Sequence, residues 1–358
     1  MHLSTVTRFS WLRLPVLAAA LAVTMGLLPA CGKTTLAADN GRFPAPVEEG
    51  GATLDWGQDV KTQALRMIRH SHRYCYLDVY ELSDPDILKA LVAAKQRQVD
   101  VRVVVDATES HSQQDAVPML EHAGVPVQSL HIHQGISHIK MLLADGGDSG
   151  VLLGGMNFGD SSWENNDASV YIRHPNPSFL ALFHWDWKRA QGLPAAAPKT
   201  QPPLVTDGQI ETQVIQAIQS AHQLVCLEAF DLTDRDVLNA LIEAVNRGII
   251  VEVLLDPNQP YNRKAAEELR DAGATVRFYR PYGEEWMHAK ILDVDHGTTF
   301  IIGSANFSHQ AYTYNHEGDL EFHHMKRFDA SFQANFSIQI SRGTDYPVAS
   351  ARSDEGGD

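Results

Sequence analysis

"LDVYELSDPDILKALVAAKQRQVDVRVVVDA", Leu77 to Ala107, returns 150 residues later as "LEAFDLTDRDVLNALIEAVNRGIIVEVLLDP", Leu227 to Pro257. Twelve of the 31 aligned positions are identical, among them Asp84 with Asp234, Leu88 with Leu238 and Asp106 with Asp256. Similarity of that length at one fixed spacing identifies an internal duplication. Both copies read in the same order. An apolar run ("YCYLDVY", "LVCLEAF") leads to Ser83 or Thr233, either of which can cap a helix, with Asp86 or Asp236 three residues on. Ile87, Leu88, Leu91 and Val92 then recur at helical spacing, and "VDVRVVVDA" or "IIVEVLLDP" reads as a β-branched strand closed by an aspartate. "LEHAGVPV" and "LRDAGATV" read as a helix end, a glycine cap and the next strand. Strands alternating with helices predict an α/β protein of two duplicated units, each a mainly parallel or mixed sheet flanked by helices, and two such units can pack about a pseudo-twofold axis.

The flanking sequence fits around these units. With 358 residues and 44% hydrophobic content the chain can bury a sizeable core and fill two domains. Residues 1–30 read as an export signal: Arg8 and Arg13 precede an apolar run that is too short for a comfortable membrane span, and "LLPAC" closes it. Leu28 to Cys31 resembles a bacterial lipobox, so Cys31 is the expected lipidation site and the protein is expected at the cell envelope or secreted. Residues 31–55 are expected to be a tether, 56–191 the first repeat, 192–208 a Pro- and Gly-rich linker, 209–345 the second repeat, and 346–358 a disordered tail. Cys75 and Cys226 sit in strand-like runs and read as small buried hydrophobes, and the absence of any CxxC or Cys/His cluster argues against structural zinc. A formal charge of -15 disfavours tracking along nucleic acid phosphates, though a local basic groove is compatible with it.

The same 150-residue offset relates two short motifs. "HIKMLLAD" begins at His138 and "HAKILDVD" at His288, aligning Lys140 with Lys290 and Asp145 with Asp295. Further on, "GGMN" ending at Asn157 matches "GSAN" ending at Asn306 after a slip of one residue. In an extended segment a histidine and the lysine two residues later share one face. Two halves packed about a pseudo-twofold axis can therefore bring both His-x-Lys pairs and both asparagines into one pocket, where ammonium and amide donors cradle a phosphate. Two histidines then suffice for a double displacement, one attacking phosphorus and the other moving the proton. Such chemistry requires no metal and no cofactor.

The doubled His-x-Lys-x4-Asp motif, followed by Gly-Gly/Ser-x-Asn, resembles the phospholipase D superfamily over roughly Trp56 to Phe336. The resemblance implies a phosphohistidine intermediate at the junction of the two units, with His138 as nucleophile and His288 as general acid and base. Lys140, Lys290, Asn157, Asn306 and Ser304 would hold phosphate oxygens. Asp167 in "NND" and Glu317 in "NHE" would each hydrogen-bond a motif histidine, and Asp145 and Asp295 would be structural. The first unit departs from the pattern in carrying Gly155 where the second has Ser304.

The implied partners are a phospholipid substrate and a membrane surface reached through an N-terminal lipid anchor, for a monomeric enzyme. A phospholipase D acting on phosphodiester lipids outside the cytoplasm is the leading expectation. An exported metal-independent endonuclease, or a cardiolipin synthase-like phosphatidyltransferase, would use the same pocket; an inactive binding module is disfavoured by two complete motifs. His131, His133, His184 and His222 read as surface or satisfied core residues. "FLALFHWDWKRA", Phe179 to Ala190, reads as a core helix. Phe158, Trp163, Trp286, Phe307, Tyr312 and Tyr314 lie beside the motifs, where they either pack or line the entrance against acyl chains or a choline headgroup. The loops Thr108–Ala116 and Asn258–Lys264 follow strand-ending aspartates and are expected to cap the pocket.

Overall fold

A computed structural model of the chain describes residues 42–348. The expected export signal, Cys31 and residues 349–358 lie outside that range.

Eight strands form the first sheet: β1 (Val47–Glu49), β2 (Ala52–Trp56), β3 (Tyr74–Val79), β4 (Asp100–Asp106), β5 (Val127–Leu130), β6 (Lys140–Ala144), β7 (Gly150–Gly154) and β8 (Ala168–Arg173). They lie in the order β1-β2-β8-β7-β6-β3-β4-β5, with β3, β4 and β5 parallel and β3 antiparallel to β6. The second sheet repeats this plan with β9 (Leu204–Thr206), β10 (Leu224–Ala229), β11 (Ile250–Leu255), β12 (Thr275–Phe278), β13 (Lys290–Val294), β14 (Thr299–Gly303) and β15 (Gly318–His323), in the order β12-β11-β10-β13-β14-β15-β9. The motif strands β6 and β13 lie in the interior of their sheets and are buried along their whole length, which is why they read as continuous apolar runs.

Three cores hold the layers together. Helices α1 (Gln58–His70), α2 (Pro85–Gln96) and α3 (Val117–His122) cover the outer face of the first sheet. Of the later helices, α4 (Pro177–Ala190), α5 (Gln209–Gln219), α6 (Arg235–Asn246), α7 (Asn262–Ala272), α8 (His309–Thr313) and α9 (Lys326–Arg342), it is α5, α6 and α7 that cover the second. The third core lies between the sheets and mixes both repeats: Trp56, Ile139, Met141 and Phe183 meet Ile291, Phe300, Phe328 and Phe332. Burying each large side chain here is worth about 1.5–3 kcal/mol, so the two repeats share one folding unit.

The helix caps differ from expectation. Helix α2 is capped by Asp84, whose Oδ1 accepts from Asp86 N and Ile87 N at 2.9 Å each, and α6 by Asp234 in the same way. Ser83 and Thr233 stand one residue too early, because Pro85 and Arg235 are already helical. Gly273, at φ 109, ends α7 in the left-handed conformation the sequence predicts.

Two boundaries also move. The expected tether includes β1 and most of β2, where Val47, Ala52 and Leu54 are buried and β2 pairs with β8. The expected linker includes β9, which pairs with β15. β1 and β9 are edge strands of three residues each and β2, beside β1, has five, all too short to show a periodic pattern against their polar neighbours.

Candidate active site

Lys140 opens β6 opposite Val79, the last residue of β3, and Lys290 opens β13 opposite Ala229, the last residue of β10. Both motifs therefore start at the carboxyl edge of the central parallel strands. The residue before each histidine is fixed by a strand-ending aspartate: Ser137 N donates to Asp106 Oδ2 at 2.6 Å and Met287 N to Asp256 Oδ2 at 2.9 Å. That role explains why both aspartates survive in the duplicated stretch.

The two repeats are stitched together at the motifs. Ser137 bridges to His316 and Asn166 to Met287 as isolated parallel β-bridges. His138 N donates to His316 O at 2.8 Å, and His288 N and Ala289 N both donate to Asn166 O at 3.0 Å. The side chains cross over in the same sense. His138 Nδ1 lies 3.0 Å from both Glu317 oxygens, and His288 Nδ1 lies 2.6 Å from Asp167 Oδ2. Each histidine is thus oriented by the acid of the opposite repeat. With Nδ1–H given to a carboxylate, Nε2 is the nitrogen left for chemistry in both rings.

The lysines run alongside. Lys140 Nζ donates to His138 O at 2.7 Å, and Lys290 Nζ to His288 O at 2.6 Å while also lying 3.0 Å from His288 Nε2. An aromatic ring backs each pair: Tyr80 meets the His138 ring edge-on at 5.2 Å, and Phe230 lies 4.9 Å from the His288 ring. Lys140 Nζ and Lys290 Nζ sit over the same two rings at 5.4 and 4.9 Å. Asn157 and Asn306 are 8% and 5% exposed, and each keeps a buried amide oxygen with no hydrogen-bond partner among the described residues. An asparagine amide donates from Nδ2 to an anionic oxygen and accepts at Oδ1 from a hydroxyl, so both side chains are suited to a polar ligand.

The two acids sit in unequal surroundings. Burial alone would raise the Glu317 carboxyl, but the neighbouring His138 and Lys140 charges and hydrogen bonds from His138 and Ser304 hold it below its ordinary value. Ser304 Oγ donates to Glu317 Oε2 at 2.5 Å, and Asn315 Nδ2 to Oε1 at 3.0 Å. In the other half a Cβ added at Gly155 would collide with the Asp167 carboxylate. The shorter acid occupies the space that a serine would need, so Gly155 and Asp167 are a matched pair, as are Ser304 and Glu317.

Asp145 and Asp295 lie at the opposite edge of the sheets. Asp145 accepts from the backbone of His72, Arg73 and Tyr74, and Asp295 from that of His222, Gln223 and Leu224. Each ties the end of a motif strand to the start of its neighbour and touches no motif histidine.

A family model described as "Cardiolipin synthase, PLD-like domain" matches the chain twice, over residues 64–187 and 214–338. The chain belongs to the phospholipase D superfamily. The duplicated mixed α/β architecture described above is the fold of that superfamily. A mitochondrial cardiolipin hydrolase of Chlamydomonas reinhardtii is 28% identical over 126 residues, a match covering 35% of this chain and 55% of that protein. The chain thus spans about half the length of the curated relative it matches. The phosphatidylserine synthase of Haemophilus influenzae Rd KW20 shares the fold at a TM-score of 0.67 and 14% identity, covering 84% of this chain and 89% of that one. The polyphosphate kinase of Porphyromonas gingivalis does so at 0.55 and 17% identity, covering 76% and 44% respectively.

Within this phospholipase D superfamily site, sequence reasoning missed Tyr80, Phe230 and His316. The first two directly follow β3 and β10 in the duplicated stretch as aligned aromatics, which was the available signal. His316 aligns with Asn166, a mismatch that carried no signal in one dimension. Of the aromatics beside the motifs, Phe158, Trp163, Phe307 and Tyr312 are buried packing residues, while Trp286 is half-buried and Tyr314 exposed. The loop segments 108–116 and 258–264 are pinned at their centres: Leu82 N donates to Ser112 Oγ at 2.8 Å and Leu232 N to Asn262 Oδ1 at 2.9 Å. Cys75 and Cys226 are buried free thiols, both pushed up to about 12 by burial.

Proposed function

We propose that the chain is a phospholipase D that hydrolyses phospholipid headgroups outside the cytoplasm through a phosphohistidine on His138. The observation that carries the chemistry is the crossed pairing of His138 with Glu317 and of His288 with Asp167. Glu317, held as an anion by four neighbours, keeps the proton of His138 on Nδ1 and leaves the Nε2 lone pair for phosphorus. As that P–N bond forms, the bond from phosphorus to the headgroup oxygen breaks and His288 Nε2 delivers a proton to the leaving alcohol. Water then attacks phosphorus, His288 takes its proton, and the P–N bond breaks to release phosphatidate. Lys140, Lys290, Asn157 and Asn306 would bind the non-bridging oxygens, the Lys290 ammonium moving its donor from the His288 ring to the phosphate.

A lipid substrate is supported over nucleic acid by the matched family and relative, both of which carry cardiolipin in their descriptions, and by the formal charge of -15. The same descriptions favour cardiolipin chemistry as a second reading. Transfer to a lipid alcohol in place of water would then make the chain a phosphatidyltransferase.

The test offers wild type and His138→Ala, in excess EDTA, mixed vesicles of phosphatidylcholine and cardiolipin together with single-stranded DNA. Release of choline and phosphatidate by the wild type alone supports the headgroup hydrolase. Turnover confined to cardiolipin moves the assignment to the second reading. DNA cleavage beside intact lipid sinks both.

A further inference from the structure

We propose that His316 is a positioning residue for the reaction, holding the Glu317–His138 pair in register through its backbone bridge to the first motif and its side-chain anchorage on Asp186 and Asp207. This rests on the assignment of His138 as nucleophile. The residue lies between the two groups it serves: His316 O accepts from His138 N at 2.8 Å, His316 N donates to Ile136 O at 2.9 Å, and the next residue is Glu317. Its ring is 2% exposed, with Nε2 3.0 Å from Asp186 Oδ2 and Nδ1 2.8 Å from Asp207 Oδ1. Asp207 Oδ1 also accepts from Glu317 N at 3.1 Å, so one carboxylate fixes both residues.

The groups facing this ring form a balanced set. Carboxylates at both ring nitrogens require both to carry hydrogen, making the ring a cation. Arg189, one turn along α4, donates to Asp186 Oδ1 at 3.0 Å, and the Trp185 ring meets the imidazole edge-on at 5.6 Å. From β3, Asp78 completes the cluster; burial and the charge of Asp186 push its carboxyl well above the usual range. Around the ring the His316 and Arg189 cations lie against the Asp186 and Asp207 carboxylates, the pairing under which buried charge is tolerated. Burial would lower the His316 ring, but Asp186 and Asp207 raise it well above its ordinary value.

The opposite repeat does the same work without charge. Asn166 occupies the equivalent position beside His288, and its side chain accepts from Asn335 Nδ2 at 2.8 Å and donates to Glu228 Oε2 at 3.3 Å. Glu228 is pushed up to about 8 by burial, so this cluster is neutral where the other is ionic. Asn335 stands in α9 where Asp186 stands in α4.

The experiment measures kcat, KM and the pH profile of kcat/KM on bis(p-nitrophenyl) phosphate for wild type, His316→Ala, Asp207→Asn and the double variant His316→Asn/Asp186→Asn. Thermal melts are recorded beside each. A simple diester reports the phosphoryl chemistry alone, so a wild type that cleaves it but no lipid overturns the lipid reading and leaves this inference standing. We expect kcat to fall roughly 10- to 100-fold in His316→Ala, with KM within about 2-fold and the acidic limb of the profile displaced. The double variant, which installs the asparagine pair of the other repeat while leaving Asp207 on Glu317 N, is expected to recover kcat to within about 3-fold and to return the limb. A His316→Ala enzyme with wild-type kcat and profile overturns the inference. So does a loss explained by the unfolded fraction alone, with the limb unmoved. Where His316→Ala fails to fold, Asp207→Asn decides by the same two readings.

Discussion

Both carboxylate oxygens of Glu317 lie 3.0 Å from His138 Nδ1, although 179 residues separate the two in sequence. The reciprocal pair, His288 with Asp167, is 121 residues apart. Neither repeat contains a complete histidine–acid couple that works within itself. The site is a property of the interface, and its two halves differ in acid length, in the Ser304/Gly155 exchange and in the Tyr80/Phe230 exchange. These differences are what make one histidine distinguishable from the other.

His288→Asn is expected to separate the two chemical steps. p-Nitrophenolate leaves without protonation, so the first step survives the loss of a general acid, whereas attack by water loses its base. Stopped-flow traces with bis(p-nitrophenyl) phosphate should show a burst approaching one equivalent per site, then turnover slowed by roughly 10²- to 10⁴-fold. A linear trace with no burst contradicts the role given to His288.

Glu317→Gln removes the anion that fixes the His138 tautomer and is expected to reduce kcat by roughly 10²- to 10⁴-fold. It also carries a sign for stability. The folded carboxyl sits below its ordinary value of 4.5, so its contribution is present above that pH and is lost as pH falls through the folded value. The melting temperature of wild type relative to the variant should therefore shrink as pH drops from neutrality into the acid range. A gap that widens on acidification would falsify the assignment of Glu317 as a stabilised anion.

Asp84 and Asp234 cap equivalent helices but do not carry equal loads. Asp84 Oδ2 also accepts from the buried Trp163 indole at 2.9 Å and pairs with Lys61 at 2.8 Å. Asp234→Ala is expected to cost about 1 kcal/mol, the worth of a cap. Asp84→Ala leaves a buried indole N–H unsatisfied and should cost about 1–3 kcal/mol more. Urea melts of the two variants test the difference, and equal midpoints contradict it.

Separated repeats should be inactive. A fragment of residues 42–193 holds His138, Lys140, Asn157 and Asp167 but lacks Glu317, and it exposes the shared core around Trp56, Met141 and Phe183. Co-expression with residues 194–348 is expected to return diesterase activity in a fraction that elutes at the size of the intact chain. Turnover by the first fragment alone contradicts the crossed arrangement.

The duplication, the mixed sheets and the two histidine–lysine motifs were legible because they are local patterns repeated at a fixed offset. Periodicity in "DILKALVAAK" survives whatever the helix packs against. The crossing of the acids was not legible, since Asp167 and Glu317 stand in the same order in their own repeats and no spacing tells which histidine each will meet. Nor was the anchoring of His316: Asp186 read correctly as part of a core helix, and only the docked structure turns that helix's one buried carboxylate toward the second repeat. β1 and β9 escaped because short edge strands draw their stability from a neighbour rather than from their own pattern.

The distance along the chain between His138 and Glu317 also sets a schedule. During synthesis the first histidine emerges long before the carboxylate that orients it, and it waits for nearly all of the second repeat to be made and folded. A ribosome-bound or truncated chain that ends before Glu317 therefore presents an imidazole without the carboxylate that fixes its tautomer. Under the proposed chemistry, orientation of the nucleophile waits on completion of the second repeat.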